Sequence, residues 1–258
     1  MEEKAENKEP TVPETENPCY WMQQGDAERA LALSQERHTR EHSPSSHVQL
    51  GVALMWNEDY ERATDYYLKA IEAAEKSLGN SEDDFLFLGV ARWCVEDYAS
   101  AVTYWKAGIN ARYAIGGVCA HSPLMLILAS ILRPGSFERA QAEEVLATKV
   151  EDPRTQYWPG TLAQYVAGLI DNAALEASWV GNISRYEQSV LPDRKWLTSF
   201  YKALLKLGRG GINKADFRQL LQKMAEPSQF QSWKPLEFFY LTRHQEFYIA
   251  RHEAHCSE

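Results

Sequence analysis

HVQLGVALMWNEDYERATDYYLKAIEA (residues 47–73) and FLFLGVARWCVEDYASAVTYWKAGINA (residues 85–111) are two copies of one pattern. At an offset of 38 residues, Leu50-Gly51 falls on Leu88-Gly89, Tyr60 on Tyr98, Ala63 on Ala101, Tyr67 on Trp105 and Ala70 on Gly108. A third copy follows at an offset of 39, where Phe137, Ala140 and Ala147 match Tyr98, Ala101 and Gly108. In that copy Ile127-Leu128 stands in place of the Leu-Gly pair, and Glu144 in place of the aromatic residue. A period of this size marks stacked helical hairpins.

Each unit carries two apolar stripes at helical spacing. The stripes break at Asn57-Glu58-Asp59, Glu96-Asp97 and Pro134-Gly135. Asp59, Asp97 and Ser136 are suited to cap the helices that follow. Gly51 and Gly89 are predicted where the two helices of a hairpin touch, with Ala63, Ala101 and Ala140 facing them. The aromatic position fills the wider gap to the next pair. One hairpin cannot bury both of its faces, so the units must stack.

The residues Leu50, Gly51, Tyr60, Ala63, Tyr67 and Ala70, their counterparts Leu88, Gly89, Tyr98, Ala101, Trp105 and Gly108, and then Phe137, Ala140 and Ala147 resemble the tetratricopeptide repeat (TPR) family. The resemblance spans about 105 of the 258 residues, and the period exceeds the ~34 residues usual for that family. The family's Trp and Pro positions are absent. The resemblance implies an all-α, TPR-like hairpin solenoid whose first helices line a concave face. On that face it places Val52, Met55 and Trp56 in the first unit, Val90, Trp93 and Cys94 in the second, and Ala129, Leu132 and Arg133 in the third. Val48, Leu86 and Met125 join them. The candidate partner-binding set is Val52, Met55, Trp56, Leu86, Val90, Trp93, Met125 and Arg133. Some TPR proteins clamp a peptide carboxylate with Lys and Asn at positions held here by Val48, Val52, Leu86 and Val90, so that chemistry is missing. An apolar groove of this kind suits a partner's helix or loop. It equally suits the chain's own C-terminal aromatic helices.

Outward from the repeats, residues 1–18 form a polar tail of six Glu, two Lys and three Pro that cannot bury enough surface to order itself. Residues 19–150 hold the repeats, opened by a helix that Asp26 caps. Residues 151–258 form a helical closing region. It carries two shorter helices over 162–170 and 173–180, with Gly168 as a possible helix-contact glycine. A longer helix runs from Pro192-Asp193 to Gly208, Asn213 caps another, and an aromatic-rich helix lies over 235–254.

The formal charge of −9 leaves −5 on the folded part once the tail's −4 is set aside. A basic patch for nucleic acid is not expected from such a balance. No stretch reaches the ~18 apolar residues of a membrane span, and no apolar run follows a basic start. Four separated cysteines without a CxxC fit reduced thiols in a cytoplasmic protein.

Candidate chemistry is sparse. His38 and His42 share one helical face but lack a third ligand, and Arg37 and Arg40 flank them. His252 and His255 are three apart, unlike the HExxH spacing. Gly208-Arg209-Gly210-Gly211 lacks the rest of a phosphate loop and reads as a turn with left-handed glycines. Cys94 and Cys119 lie in apolar stretches that suit inert thiols, and the nearness of His121 to Cys119 in sequence does not make a dyad. The expectation is a non-enzymatic protein with no catalytic residue, cofactor or metal. The run YASAVTYWKAGINARYAIGG (98–117) resembles immunity proteins of bacterial polymorphic toxin systems. That resemblance implies a cognate toxin, with a basic domain, as the neutralised partner. The alternative is a TPR-type scaffold binding a peptide or protein in its concave groove.

Overall fold

A computed structural model describes residues 14–76, 81–111, 120–152, 155, 158–179 and 191–224. The first thirteen residues, the Gly79-Asn80 and Gly116-Gly117 stops, Cys119, Pro153, and the aromatic helix over 235–254 with Cys256 all lie outside the described residues. Among the described residues the fold is all-helical, with no strand. A 3-10 turn (Glu14–Glu16) precedes α1 (Pro18–Gln23), α2 (Ala27–Glu41), α3 (Pro44–Trp56), α4 (Tyr60–Glu75), α5 (Glu82–Cys94), α6 (Tyr98–Ile109), α7 (His121–Leu132) and α8 (Arg139–Val150). After these come α9 (Gly160–Val166), α10 (Asn172–Ser178), α11 (Leu191–Gly208) and α12 (Lys214–Met224). None of these helices is long and apolar enough to cross a membrane.

The helices pack in chain order. Hairpins α1–α2, α3–α4, α5–α6 and α7–α8 stack through α2 on α3, α4 on α5 and α6 on α7. The first helices α3, α5 and α7 also touch in succession. One turn recurs along the array. Gly25, Glu58, Glu96, Gly168 and Gly210 all adopt left-handed φ, at 79°, 62°, 64°, 77° and 71°. The next residue's N–H then reaches back five positions: Asp26 to Trp21 O (2.9 Å), Asp59 to Leu54 O (3.0 Å), Asp97 to Arg92 O (2.9 Å), Leu169 to Gln164 O and Gly211 to Lys206 O (both 2.9 Å). This pattern closes the orphan carbonyls of the preceding helix. In the first three turns the same residue also caps the following helix. Asp26, Asp59 and Asp97 accept from the N–H groups of Arg29, Arg62 and Ser100 at 3.0, 3.2 and 3.1 Å. Gly168 has open space around it, so it ends α9 rather than joining two helices. For that reason α9 stops at Val166, short of the Ile170 that the spacing predicts.

Within each good hairpin a glycine makes room for one ring. A Cβ on Gly51 would stand 2.6 Å from the Tyr67 ring, and one on Gly89 would overlap the Trp105 indole. Tyr67 also stacks on Phe87 of the next hairpin, with ring centres 5.5 Å apart. Trp105 donates its indole N–H to the Leu86 carbonyl at 3.4 Å. The aromatic therefore crosses its own hairpin's glycine and, in the first unit, reaches the next pair as well.

The third hairpin keeps the register in one helix and loses it in the other. The residues ending α3, α5 and α7 are Asn57, Val95 and Arg133, spaced by 38. Those preceding α4, α6 and α8 are Asp59, Asp97 and Glu138, so the last step is 41. Three extra residues around Pro134-Gly135 make the difference. Phe137 consequently lies before α8, Ala140 and Ala147 are exposed, and Ala142, Leu146 and Val150 are buried instead. Ser136 is not the cap; Glu138 stands there, without a side-chain bond to the helix. By this register, the buried Ile127 and Leu146 occupy the glycine and aromatic positions.

Every residue from Ser122 to Ile131 of α7 is buried. A helix apolar on all sides must be covered on all sides, and α5, α6, α8, α9 and α11 surround it. Its first turn has no cap of its own. The buried Glu82 carboxylate of α5 accepts the Ser122 N–H at 2.9 Å and supplies one across the hairpins. Gly208 ends α11 hard against Ile131.

The glycine–ring contacts predict that Gly51→Ala and Gly89→Ala each destabilise the chain by about 1–3 kcal/mol. Urea unfolding followed by Trp fluorescence measures this, and an unchanged midpoint would contradict the contact.

Candidate interaction edge

The predicted concave residues come together, but they do not form an open surface. Val52, Met55, Leu86, Val90 and Met125 are buried, Trp93 is 1% exposed and Trp56 8%. Trp93 sits between two rings, edge-on to Tyr98 at 4.7 Å and tilted over Trp105 at 5.4 Å. α1 packs on α3, while α9 and α11 pack on α7. The expected groove residues are therefore core, because the threaded rings and flanking helices use the surface that periodicity assigns to a partner.

Arg133 is the half-buried member of the set. Its guanidinium donates to the Tyr98 hydroxyl at 2.9 Å and lies 4.8 Å from that ring's centre. The equivalent residue two units earlier behaves alike: the Asn57 amide donates to Ala27 O at 2.8 Å. In both cases the residue ending a first helix ties back to the opening residue of the second helix before it. These ties hold neighbouring hairpin turns side by side.

The ties join the α1–α2 turn to the α3–α4 turn and the α5–α6 turn to the α7–α8 turn. Each turn carries an exposed acidic residue: Asp26, Glu58, Glu96 and Glu138. Asp59 and Asp97 are half-buried and committed, each to its helix N-terminus and to an arginine. Arg62 pairs with Asp59, and Arg92 lies 3.7 Å from Asp97. Glu58 and Glu96 differ from the caps, since each occupies a left-handed position with a charged side chain where glycine is the usual residue. The repeated Glu-Asp at 58–59 and 96–97 was visible in the sequence only as a break between stripes. It gives no hint of positive φ without a glycine.

The other candidates resolve simply. Gly210 has the left-handed φ of a turn between α11 and α12, as expected. Cys19 and Cys94 are half-buried and outside any disulfide. Burial, opposed by the Arg37 charge and a backbone hydrogen bond, raises the Cys19 thiol above its ordinary value and leaves it a poor nucleophile. Among the described residues no group of three or more His, Cys, Asp or Glu side chains is arranged to hold a metal ion. The chain matches no family model and no curated protein.

Trp93→Ala is expected to cost about 3–5 kcal/mol, as for a large core side chain. Chemical denaturation of the full chain tests it; a surface anchor would leave the midpoint where it is.

Proposed function

We propose that the chain is a TPR-like, non-enzymatic binding protein that recognises a basic protein surface along its acidic turn edge. One observation carries this reading. Glu58 and Glu96, at equivalent places in successive units, both keep a left-handed backbone. For a residue with a Cβ this costs roughly 1–2 kcal/mol relative to glycine. Strain of this kind collects where a side chain is needed for function. Exposed acidic residues at equivalent places in successive units complement Lys and Arg, and exposed charge of one sign speeds encounter with the opposite sign.

The most concrete case is an immunity protein that covers and neutralises a cognate toxin with a basic domain, in keeping with the Trp- and Tyr-rich run from Tyr98. The 38-residue register and the succession of α3, α5 and α7 support the TPR-like description. Cys19 and Cys94, outside any disulfide, agree with a reducing, cytoplasmic setting. The alternative, a peptide held in the concave groove, is disfavoured by the burial of Val52, Met55, Trp56, Leu86, Val90, Trp93 and Met125.

The test is affinity capture from the native cell, followed by calorimetric titration of the captured protein at two salt concentrations. Glu58→Gln with Glu96→Gln is expected to weaken binding about tenfold at low salt and less at high salt. Unchanged affinity, or capture through an acidic partner surface, would contradict the proposed edge.

A further inference from the structure

Three imidazoles from two helices meet where α2 turns into α3. The His38 ring stands edge-on to His42 at 5.0 Å and to His47 at 4.6 Å. Tyr66 of α4 is the third ring against His38, at 5.2 Å, and the Lys69 ammonium lies 4.5 Å from the Tyr66 ring centre. Nδ1 of His38 lies 3.3 Å from the Ser46 hydroxyl, and Nδ1 of His47 lies 2.8 Å from the Ser43 carbonyl. We propose that this cluster is a proton-operated latch, in which edge-on ring contacts to His38 hold the C-terminal half of α2 on α3 and α4 and acid releases it.

The groups around His38 make the latch one-directional. On α2 itself lie Arg37, Arg40 and Glu41, with His42 just past its end, and the Glu41 carboxylate is already taken by Arg37 at 2.9 Å and Arg40 at 3.6 Å. α3 contributes His47 and two neutral serines. α4 contributes Tyr66 and Lys69. Burial first, then His47, His42 and Lys69, hold the His38 imidazole below its ordinary value. A folded-state value below the unfolded one means that the folded chain binds this proton less well. The stabilising contribution is therefore complete above the ordinary imidazole value of about 6.5 and is lost as pH falls from there toward the lower folded value.

α2 is suited to such release. Only Ala30 and Ser34 along it are fully buried. Its N-terminal end is secured separately, by the Asn57 tie to Ala27. Few apolar contacts hold its second half, and segments of that kind open locally before the whole fold does. Opening uncovers the α4 surface around Tyr66.

Amide hydrogen exchange on the full chain tests the latch. After correction for intrinsic rates, protection over Gln35–Glu41 is expected to fall about tenfold between pH 7 and pH 5, while α4 and α6 hold theirs; one proton linked to opening gives up to tenfold per pH unit. His38→Phe keeps a ring without a charge and is expected to abolish the fall. Should that variant not fold, the NMR titration of His38 in the unmodified chain decides, with a midpoint below 6.5 expected. A parallel loss in all helices, a fall that persists in His38→Phe, or a midpoint at or above 6.5 would overturn the proposal.

Discussion

The Trp105 indole lies across Gly89, and the spacing of the array follows from that contact. A ring of this size cannot enter a close-packed hairpin unless the facing residue has no side chain. Tyr67 and Gly51 repeat the arrangement one unit earlier. The third hairpin solves the same problem with two aliphatic residues, Ile127 and Leu146, both buried. Glycine with a ring, or two medium side chains, fill comparable space, and cores tolerate exchanges that conserve volume. Once that spacing is set, α7 lies close enough to α5 and α6 to be covered by them, with α9 and α11 completing its burial.

Filling the hairpins with rings has a consequence for recognition. Rings that cross between helices bring Trp93 and Trp105 together beneath the first-helix face, so large apolar residues there are shared with the core. What remains for a partner is what the scaffold holds still but does not bury. The tied turns meet that description. They are fixed by repeated backbone hydrogen bonds and by the ties from Asn57 and Arg133, yet Glu58 and Glu96 are exposed on them. Function carried on turns that a rigid scaffold positions is a common division of labour.

Much of this fold is legible in the sequence, because local chemistry repeats. The 38-residue offset, the caps at Asp26, Asp59 and Asp97, and the apolar stripe of α11 all recur in the structure. The third unit misleads for an identifiable reason. An insertion of three residues splits its register into 38 and 41, and a single offset of 39 averages them. Ala140 and Ala147 then match core positions by size, although both are exposed. The sequence leaves an open groove and one filled by the chain's own helices as equal alternatives, since the outcome depends on which helices pack over α3, α5 and α7 and not on any local period. The meeting of His47 with His38 and His42 was hidden for a similar reason, because the three rings converge only when α2 folds back on α3.

The central claim is that Gly89 is small because Trp105 is large. A double-mutant cycle with Gly89→Ile and Trp105→Leu transplants the α7–α8 combination into the α5–α6 hairpin. Urea unfolding of the four proteins gives the coupling directly. The account predicts that the double variant is more stable, by about 1–3 kcal/mol, than the sum of the two single losses allows. Strict additivity would show that the two residues do not share one space, and would contradict the account.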